Sequence, residues 1–152
     1  MCAFFAVIIM EEKIIYEMKR LINKANKKNE SPIVAIITLN NKIIAKAYNK
    51  RNKSNKTIDH AEIIAITKAN KKIKNWRLNK CTLYISLEPC DMCKNVIKES
   101  RIDKVIYLIK RNPTKKQYNK SNFEEVNSNN LQIQKFIEEY KKIIHNFWEN
   151  KR

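Results

Sequence analysis

The sequence is organised around the stretch Thr82-Leu83-Tyr84-Ile85-Ser86-Leu87-Glu88-Pro89-Cys90-Asp91-Met92-Cys93. Its first half, together with Cys81, is an apolar run that predicts a buried strand over residues 81–87. Pro89 fixes a backbone conformation suited to the first turn of a helix, which we expect over residues 90–100. A strand therefore leads into a helix at a pair of closely spaced cysteines.

Hydrophobic spacing on both sides of this unit predicts alternating helices and strands. The predicted helices are 11–28, 60–72 and 131–148, and the predicted strands are 33–39, 42–48 and 104–109. Asn40-Asn41 is expected to turn the first two strands into a hairpin. Residues 49–59 predict a polar, basic loop, and residues 110–130 have little pattern. This order indicates an α/β fold in which helices cover both faces of a central sheet.

The length of 152 residues indicates one domain, which we place at residues 10–152. Residues 1–9 are expected to be an extension or the result of an upstream start. The apolar run over residues 1–10 is too short to cross a bilayer and lacks the features of a secretory signal. We therefore expect a cytoplasmic protein without membrane contact. Four cysteines, unevenly spaced, do not suit a disulfide framework.

The charge is strongly positive, with 32 Lys and Arg against 15 Asp and Glu, for a net charge of +17. Such a balance favours an acidic partner such as nucleic acid. A second explanation is codon bias, because 26 Lys, 20 Asn and 24 Ile with no Gly is typical of an A+T-rich genome. The position of the charge is more informative: residues 46–56 and 68–80 contain eleven basic side chains and no acid.

Cys90, Cys93 and His60 form a candidate metal site. Two cysteines three residues apart on the first turn of a helix can direct both sulfurs to one ion, and the positive end of the helix favours thiolates. Adding His60 gives three protein ligands, and three ligands with an open fourth position are typical of catalytic zinc. A redox role for the cysteine pair is the alternative, but the strand order does not match a thioredoxin-like setting.

Glu62 lies two residues after His60, which suits a group that reaches the open position rather than a further ligand. A carboxylate there can take a proton from water and give it to a substrate nitrogen. The sequence thus combines three ligands with a proton-transfer group.

These pieces together carry a family resemblance. His-x-Glu followed after 27 residues by Cys-x-x-Cys is the signature of zinc deaminases, and the sequence resembles the cytidine/deoxycytidylate deaminase superfamily. Within it the chain is most similar to bacterial tRNA wobble adenosine deaminases. Besides the opening stretch, the matching motifs are Tyr48-Asn49, His60-Ala61-Glu62-Ile63, Asn75-Trp76-Arg77-Leu78 and Ser100-Arg101-Ile102.

The resemblance implies a three-layer α/β/α sandwich around a mixed sheet of about five strands, with the fifth within residues 110–130. It also implies a homodimer that converts adenosine to inosine at the wobble position of a tRNA, specifically an arginine tRNA. By motif matching, one zinc ion per subunit is bound by His60, Cys90 and Cys93, and Glu62 transfers the proton. Asn49 and Ala61 match substrate-binding positions of the family.

The basic residues provide candidate RNA contacts, namely Lys50, Arg51, Lys53, Arg77, Lys110 and Arg111. Two positions depart from the family pattern. Val34 replaces a usual Gly, and Lys110-Arg111-Asn112-Pro113-Thr114 replaces a stretch that usually contains Gly and an acid.

Two other functions compete with tRNA editing. The first is deamination of a free base or nucleotide such as guanine, cytosine or deoxycytidylate, which would not require the basic loop. The second is a catalytically idle zinc module that binds RNA, which would not require Glu62.

Overall fold

The computed structural model describes residues 2–111 and 122–151, with side chains from Met10 onward. Helices and strands alternate through this part of the chain. The helices are α1 (Cys2–Lys27), α2 (Arg51–Ser54), α3 (Ala61–Ile73), α4 (Asp91–Glu99) and α5 (Leu131–Glu149). The strands are β1 (Val34–Leu39), β2 (Lys42–Tyr48), β3 (Cys81–Leu87), β4 (Lys104–Ile109) and β5 (Phe123–Glu125).

The strands form one mixed sheet in the order β2-β1-β3-β4-β5. β1 is antiparallel to β2 and β3, whereas β3, β4 and β5 are parallel to one another. The hairpin turns at Asn40 and Asn41, with φ of 50° and 59°, a left-handed conformation that asparagine tolerates. β5 lies within residues 110–130, so the expected fifth strand is confirmed.

Helices cover both faces of the sheet. α1 and α5 pack against each other and against β1, β2 and β4, while α3 packs on β1 and β2 next to α4. The inner strand β1 is buried on both faces, and Val34, Ala35, Ile36 and Ile37 have no exposed surface. The predicted α/β/α arrangement is confirmed, with its core between these layers.

Two local predictions were wrong. α1 begins at Cys2 rather than near Glu11, so the first helix starts nine residues earlier than predicted. Residues 51–54, expected to be loop, form the one-turn helix α2. Part of the unusual stretch after β4, residues 112–114, lies outside the described residues. Within the described ranges, no helix combines the length and apolar character needed to span a membrane.

The strand directions place three chain segments at one edge of the sheet. β2, β3 and β4 run the same way, because both β2 and β3 are antiparallel to β1 and β4 is parallel to β3. Their carboxyl ends therefore lie at the same end of the sheet, followed by Asn49, Glu88 and Lys110 respectively. Ligand sites in α/β sheets commonly lie at such carboxyl ends.

Candidate active site

The N-termini of α3 and α4 bring the predicted ligands together at this edge. His60 is the N-cap residue of α3, Cys90 is the N-cap residue of α4, and Cys93 lies in the first turn of α4. The spacing of the two cysteines within one turn is what directs them to the same side. Residues separated by 30 positions in sequence thereby become neighbours.

The three ligand atoms are close enough to hold one ion. His60 Nδ1 lies 3.6 Å from Cys90 Sγ and 3.5 Å from Cys93 Sγ. All three candidate ligand atoms lie within 4.8 Å of one another. Cys93 is fully buried, while His60 and Cys90 are half-buried and retain access from outside. Two sulfurs and one imidazole nitrogen are the donor types that zinc prefers, so the residues fit this metal.

Hydrogen bonding within the trio favours a thiolate at Cys90. A hydrogen bond from the Cys93 thiol, supported by His60, lowers the pKa of Cys90 to about 3. The same bond raises the pKa of Cys93, and contact with Cys90 raises the pKa of His60. The Cys90 sulfur is therefore negatively charged at neutral pH, and thiolate is the form of cysteine that binds metal.

Glu62 lies beside these ligands and is almost fully buried, with 2% exposure. Burial raises the pKa of its carboxyl group, because a charge is disfavoured away from water. Its Oε2 atom has no hydrogen-bond partner among the described residues. A buried carboxylate oxygen left unpaired is costly, which indicates that it serves a ligand or a reacting group.

Asn49 enters the site from the end of β2. Its backbone N–H donates to the Ile33 carbonyl at 3.0 Å, and its Oδ1 accepts from the backbone N–H of Arg51 at 3.0 Å. With Oδ1 engaged, the amide Nδ2 is the side-chain donor that remains for a ligand. Asn49 is buried, and Ala61 has no exposed surface where it stands between His60 and Glu62.

Glu30 is a residue that the sequence analysis missed. This carboxylate is 1% exposed and accepts from two backbone N–H groups of α2, Lys53 at 2.7 Å and Asn52 at 3.2 Å. It therefore holds residues 49–54, which we call the basic segment, against the end of α1. The sequence did offer one signal for this role, because Glu30 is the only acidic residue between Glu17 and Asp59.

Glu88 was also missed as an organiser of the site edge. Its carboxylate accepts from Lys94 Nζ at 2.8 Å and from the Arg111 backbone N–H at 3.2 Å. Arg111 Nε donates in turn to the Glu88 carbonyl at 3.2 Å. This pairing fixes the chain after β4 next to α4. Lys110 is ion-paired with Glu125 at 3.6 Å.

Val34 is accommodated as an ordinary strand residue although the family usually has Gly there. Its N–H donates to Ser86 Oγ at 3.0 Å. The Tyr140 hydroxyl of α5 lies 2.9 Å from Ser86 Oγ and donates to the Pro32 carbonyl at 3.0 Å. Burial raises the pKa of Tyr140, which keeps the hydroxyl protonated. Buried hydrogen bonds through Ser86 and Tyr140 thus join β1, β3 and α5.

The structure does not bring Arg77 to the metal site. Arg77 follows α3, stacked on exposed Trp76 with its guanidinium carbon 4.4 Å from the ring centroid. The 13 residues of α3 separate it from His60, a helix length of about 20 Å. By contrast, Lys50, Arg51 and Lys53 lie in the basic segment beside Asn49.

Comparisons with known proteins agree with this geometry. The family model described as cytidine and deoxycytidylate deaminase zinc-binding region matches residues 9–109. A tRNA-specific adenosine deaminase from Buchnera aphidicola subsp. Schizaphis graminum (strain Sg) is 40% identical over 92 residues, covering 56% of this chain and 58% of that protein. One from Bacillus subtilis (strain 168) is 40% identical over 97 residues, covering 64% and 60%. The chain thus spans about three fifths of the length of these relatives.

Two solved structures of deaminases are also similar to this chain. One from studies of A-to-I editing by tRNA:A34 deaminases at the wobble position superposes with a TM-score of 0.59 and 33% identity, covering 60% of this chain and 66% of that one. A guanine deaminase from Bacillus subtilis superposes with a TM-score of 0.62 and 34% identity, covering 65% and 64%.

Proposed function

Because the chain belongs to the family of the cytidine and deoxycytidylate deaminase zinc-binding region, we propose that it is a hydrolytic deaminase that converts adenosine to inosine at the wobble position of tRNA. The observation that carries this proposal is the buried Glu62 carboxylate, whose Oε2 has no partner among the described residues, beside the convergent trio of His60, Cys90 and Cys93. Relatives named tRNA-specific adenosine deaminase support the substrate class.

His60, Cys90 and Cys93 would hold one zinc ion per subunit. Their donor types and separations suit this ion, and the half-buried position of His60 and Cys90 leaves the trio accessible from the sheet edge. When bound, zinc supplies Lewis-acid activation of the water that attacks the substrate. The role of the three side chains is to fix the ion at the start of α3 and α4.

Glu62 carries the proton in the proposed reaction. Its carboxylate takes a proton from the attacking water while oxygen bonds to carbon six of adenine, and it then gives a proton to the departing amino group. The carbon–nitrogen bond breaks, so adenosine and water yield inosine and ammonia. Burial keeps Glu62 ready for both steps, because its raised pKa lets it hold a proton as well as release one.

Asn49 would contact the flipped base, and Ala61, at a substrate-binding position of the family, would lie buried behind it. The Nδ2 donor of Asn49 suits an acceptor on the purine ring, and the small side chain of Ala61 leaves room for the ring next to His60. The basic segment beside them suits phosphates of an anticodon loop, with Lys50, Arg51 and Lys53 as RNA contacts. We assign Lys110, Arg111 and, farther away, Arg77 to the same role.

The finer assignments extend this proposal. From the family resemblance we infer an arginine tRNA as the substrate and a homodimer as the assembly. The cytoplasm, expected from the sequence, agrees with the tRNA-specific relatives. Light scattering at micromolar concentration tests the dimer, and a panel of unmodified tRNA transcripts tests the choice of tRNA.

The decisive experiment incubates the zinc-loaded protein with unmodified tRNA transcripts and sequences the products for inosine. We expect inosine at position 34 only, and no product with Glu62→Gln. A transcript with guanosine at position 34 is the matched control. Failure to form inosine in any tRNA would overturn the proposal.

Guanine deamination is the second candidate, because the superposed guanine deaminase from Bacillus subtilis is as similar as the tRNA:A34 deaminase structure. A parallel assay with free guanine and ammonia detection separates the two. Turnover of guanine without inosine in tRNA would favour the small-molecule function.

A further inference from the structure

Three lysines from separate elements gather beside β2, and two of them lie over the Tyr48 ring. Lys24 Nζ in α1 lies 5.9 Å from the centroid of the Tyr48 ring, and Lys50 Nζ lies 5.4 Å from it. Lys68 in α3 donates from Nζ to the carbonyl oxygen of Lys46 in β2 at 2.9 Å. We call Lys24, Lys50 and Lys68 the edge lysine cluster.

The cluster carries positive charge that nearby acids do not neutralise. Lys46 in the same strand pairs with Glu17 at 3.0 Å, but among the described residues no carboxylate makes an ion pair with Lys24, Lys50 or Lys68. Burial lowers the pKa of Lys68, and the charges of its lysine neighbours lower it further. Cations gathered in this way repel one another, and a bound anion would relieve that repulsion.

The cluster is continuous with the candidate active site. Tyr48 is the last residue of β2 and lies at the same end of the sheet as the metal ligands. Lys50 follows directly after Asn49. Lys68 is seven residues beyond Ala61, the first residue of α3, which corresponds to about 10 Å along the helix. A strand of nucleic acid with one base at Asn49 can therefore continue along this edge.

We propose that the edge lysine cluster is an RNA phosphate-contact surface that binds substrate beyond the flipped base, with Lys24 and Lys68 as new contacts. The inference rests on the proposed RNA substrate and deepens it. Ammonium groups bind phosphate as point charges, and cation contacts hold the Tyr48 ring in place between them. A protein partner suits the surface less well, because interface cores are depleted in lysine.

The test compares two double variants with equal loss of charge from the same two helices. Lys24→Gln/Lys68→Gln removes two of the three charges of the cluster, whereas Lys27→Gln/Lys72→Gln removes two exposed lysines outside it. The probe is an anticodon stem-loop RNA with adenine at the wobble position, and affinity is measured by fluorescence anisotropy at several salt concentrations. Thermal melting verifies that both variants fold, and Lys24→Arg/Lys68→Arg restores the charge.

We expect the cluster variant to flatten the slope of log affinity against log salt by roughly 0.7 per lost contact, or about 1.4 in all. Between roughly 50 and 200 mM salt its affinity should then fall about sevenfold less than that of the wild type. The control pair and the arginine pair should keep the wild-type slope. Equal slopes for all variants, or equal losses in both glutamine pairs, would overturn the proposal and leave only diffuse attraction or a protein partner.

Inosine formation by the wild-type protein is scored separately. Cluster-dependent RNA binding without inosine would contradict the proposed function while supporting the surface. Inosine formation with identical salt slopes in all variants would support the proposed function and contradict the surface.

Discussion

The metal centre and the basic segment lie at the same edge of the sheet but are built in different ways. The metal centre depends on local spacing, because Cys90 and Cys93 share one helical turn and His60 caps a second helix. The basic segment depends on Glu30, a carboxylate more than twenty positions earlier that binds backbone N–H groups of α2. One region is therefore specified by neighbours in sequence and the other by a distant buried acid.

This difference predicts that the catalytic step and substrate recognition can be disrupted independently. A change in the trio should remove metal and turnover together, whereas a change in Glu30 should leave the metal and weaken substrate use. If the two regions proved inseparable, the division would be wrong.

The largest effect is expected from Cys93→Ala. Two remaining ligands hold zinc poorly, so elemental analysis should find the metal content falling from about one equivalent to a small fraction, with deamination lost. Cys81→Ala is the matched control, because Cys81 is a buried cysteine at the start of β3 and lies outside the trio. Full zinc and activity in the Cys93 variant would refute the ligand assignment.

A smaller effect is expected from Glu62→Gln, which removes proton transfer while sparing the metal. Turnover should fall by about 100- to 10,000-fold, the usual contribution of a general acid/base group. Zinc content and melting temperature should remain near the wild-type values, and exposed Glu139→Gln should have no effect. Near-normal turnover by the Glu62 variant would sink the assigned role.

The same contrast explains how much the sequence revealed. The bounds of β2, β3 and β4 were predicted correctly, and the trio was predicted as one group of ligands. Both predictions depend on sequence patterns that extend over only a few residues. Helix α2 was missed because its four residues have no apolar periodicity and owe their shape to Glu30. The Glu88 contacts were missed for the same reason, since Arg111 is 23 positions away.

Glu30→Gln tests the long-range half of the comparison. Hydrogen bonds to a charged acceptor contribute about 1.5–3 kcal/mol each, and glutamine would place an N–H donor against one of the two α2 donors. We expect kcat/KM on RNA to fall by about tenfold with an unchanged zinc content. Glu30→Asp, which keeps the charge, should recover part of the loss.

Exposed Glu12→Gln in α1 serves as the control for Glu30→Gln. Loss of zinc from the Glu30 variant would show that the basic segment also supports the metal centre. A wild-type kcat/KM in the Glu30 variant would show that the hydrogen bonds of Glu30 do not position the basic segment for substrate.

The smallest effect is expected from Arg51→Gln/Lys53→Gln within the basic segment. Both side chains are exposed, so each offers a phosphate contact that salt can weaken rather than a buried interaction. If both contact single-stranded RNA, the slope of log affinity against log salt should flatten by about 1.4. Lys13→Gln/Lys98→Gln removes the same charge from other surfaces and should leave the slope unchanged. An equal change in both pairs would assign the basicity of the segment to A+T-rich codon usage, and the segment would then serve the site only through Asn49.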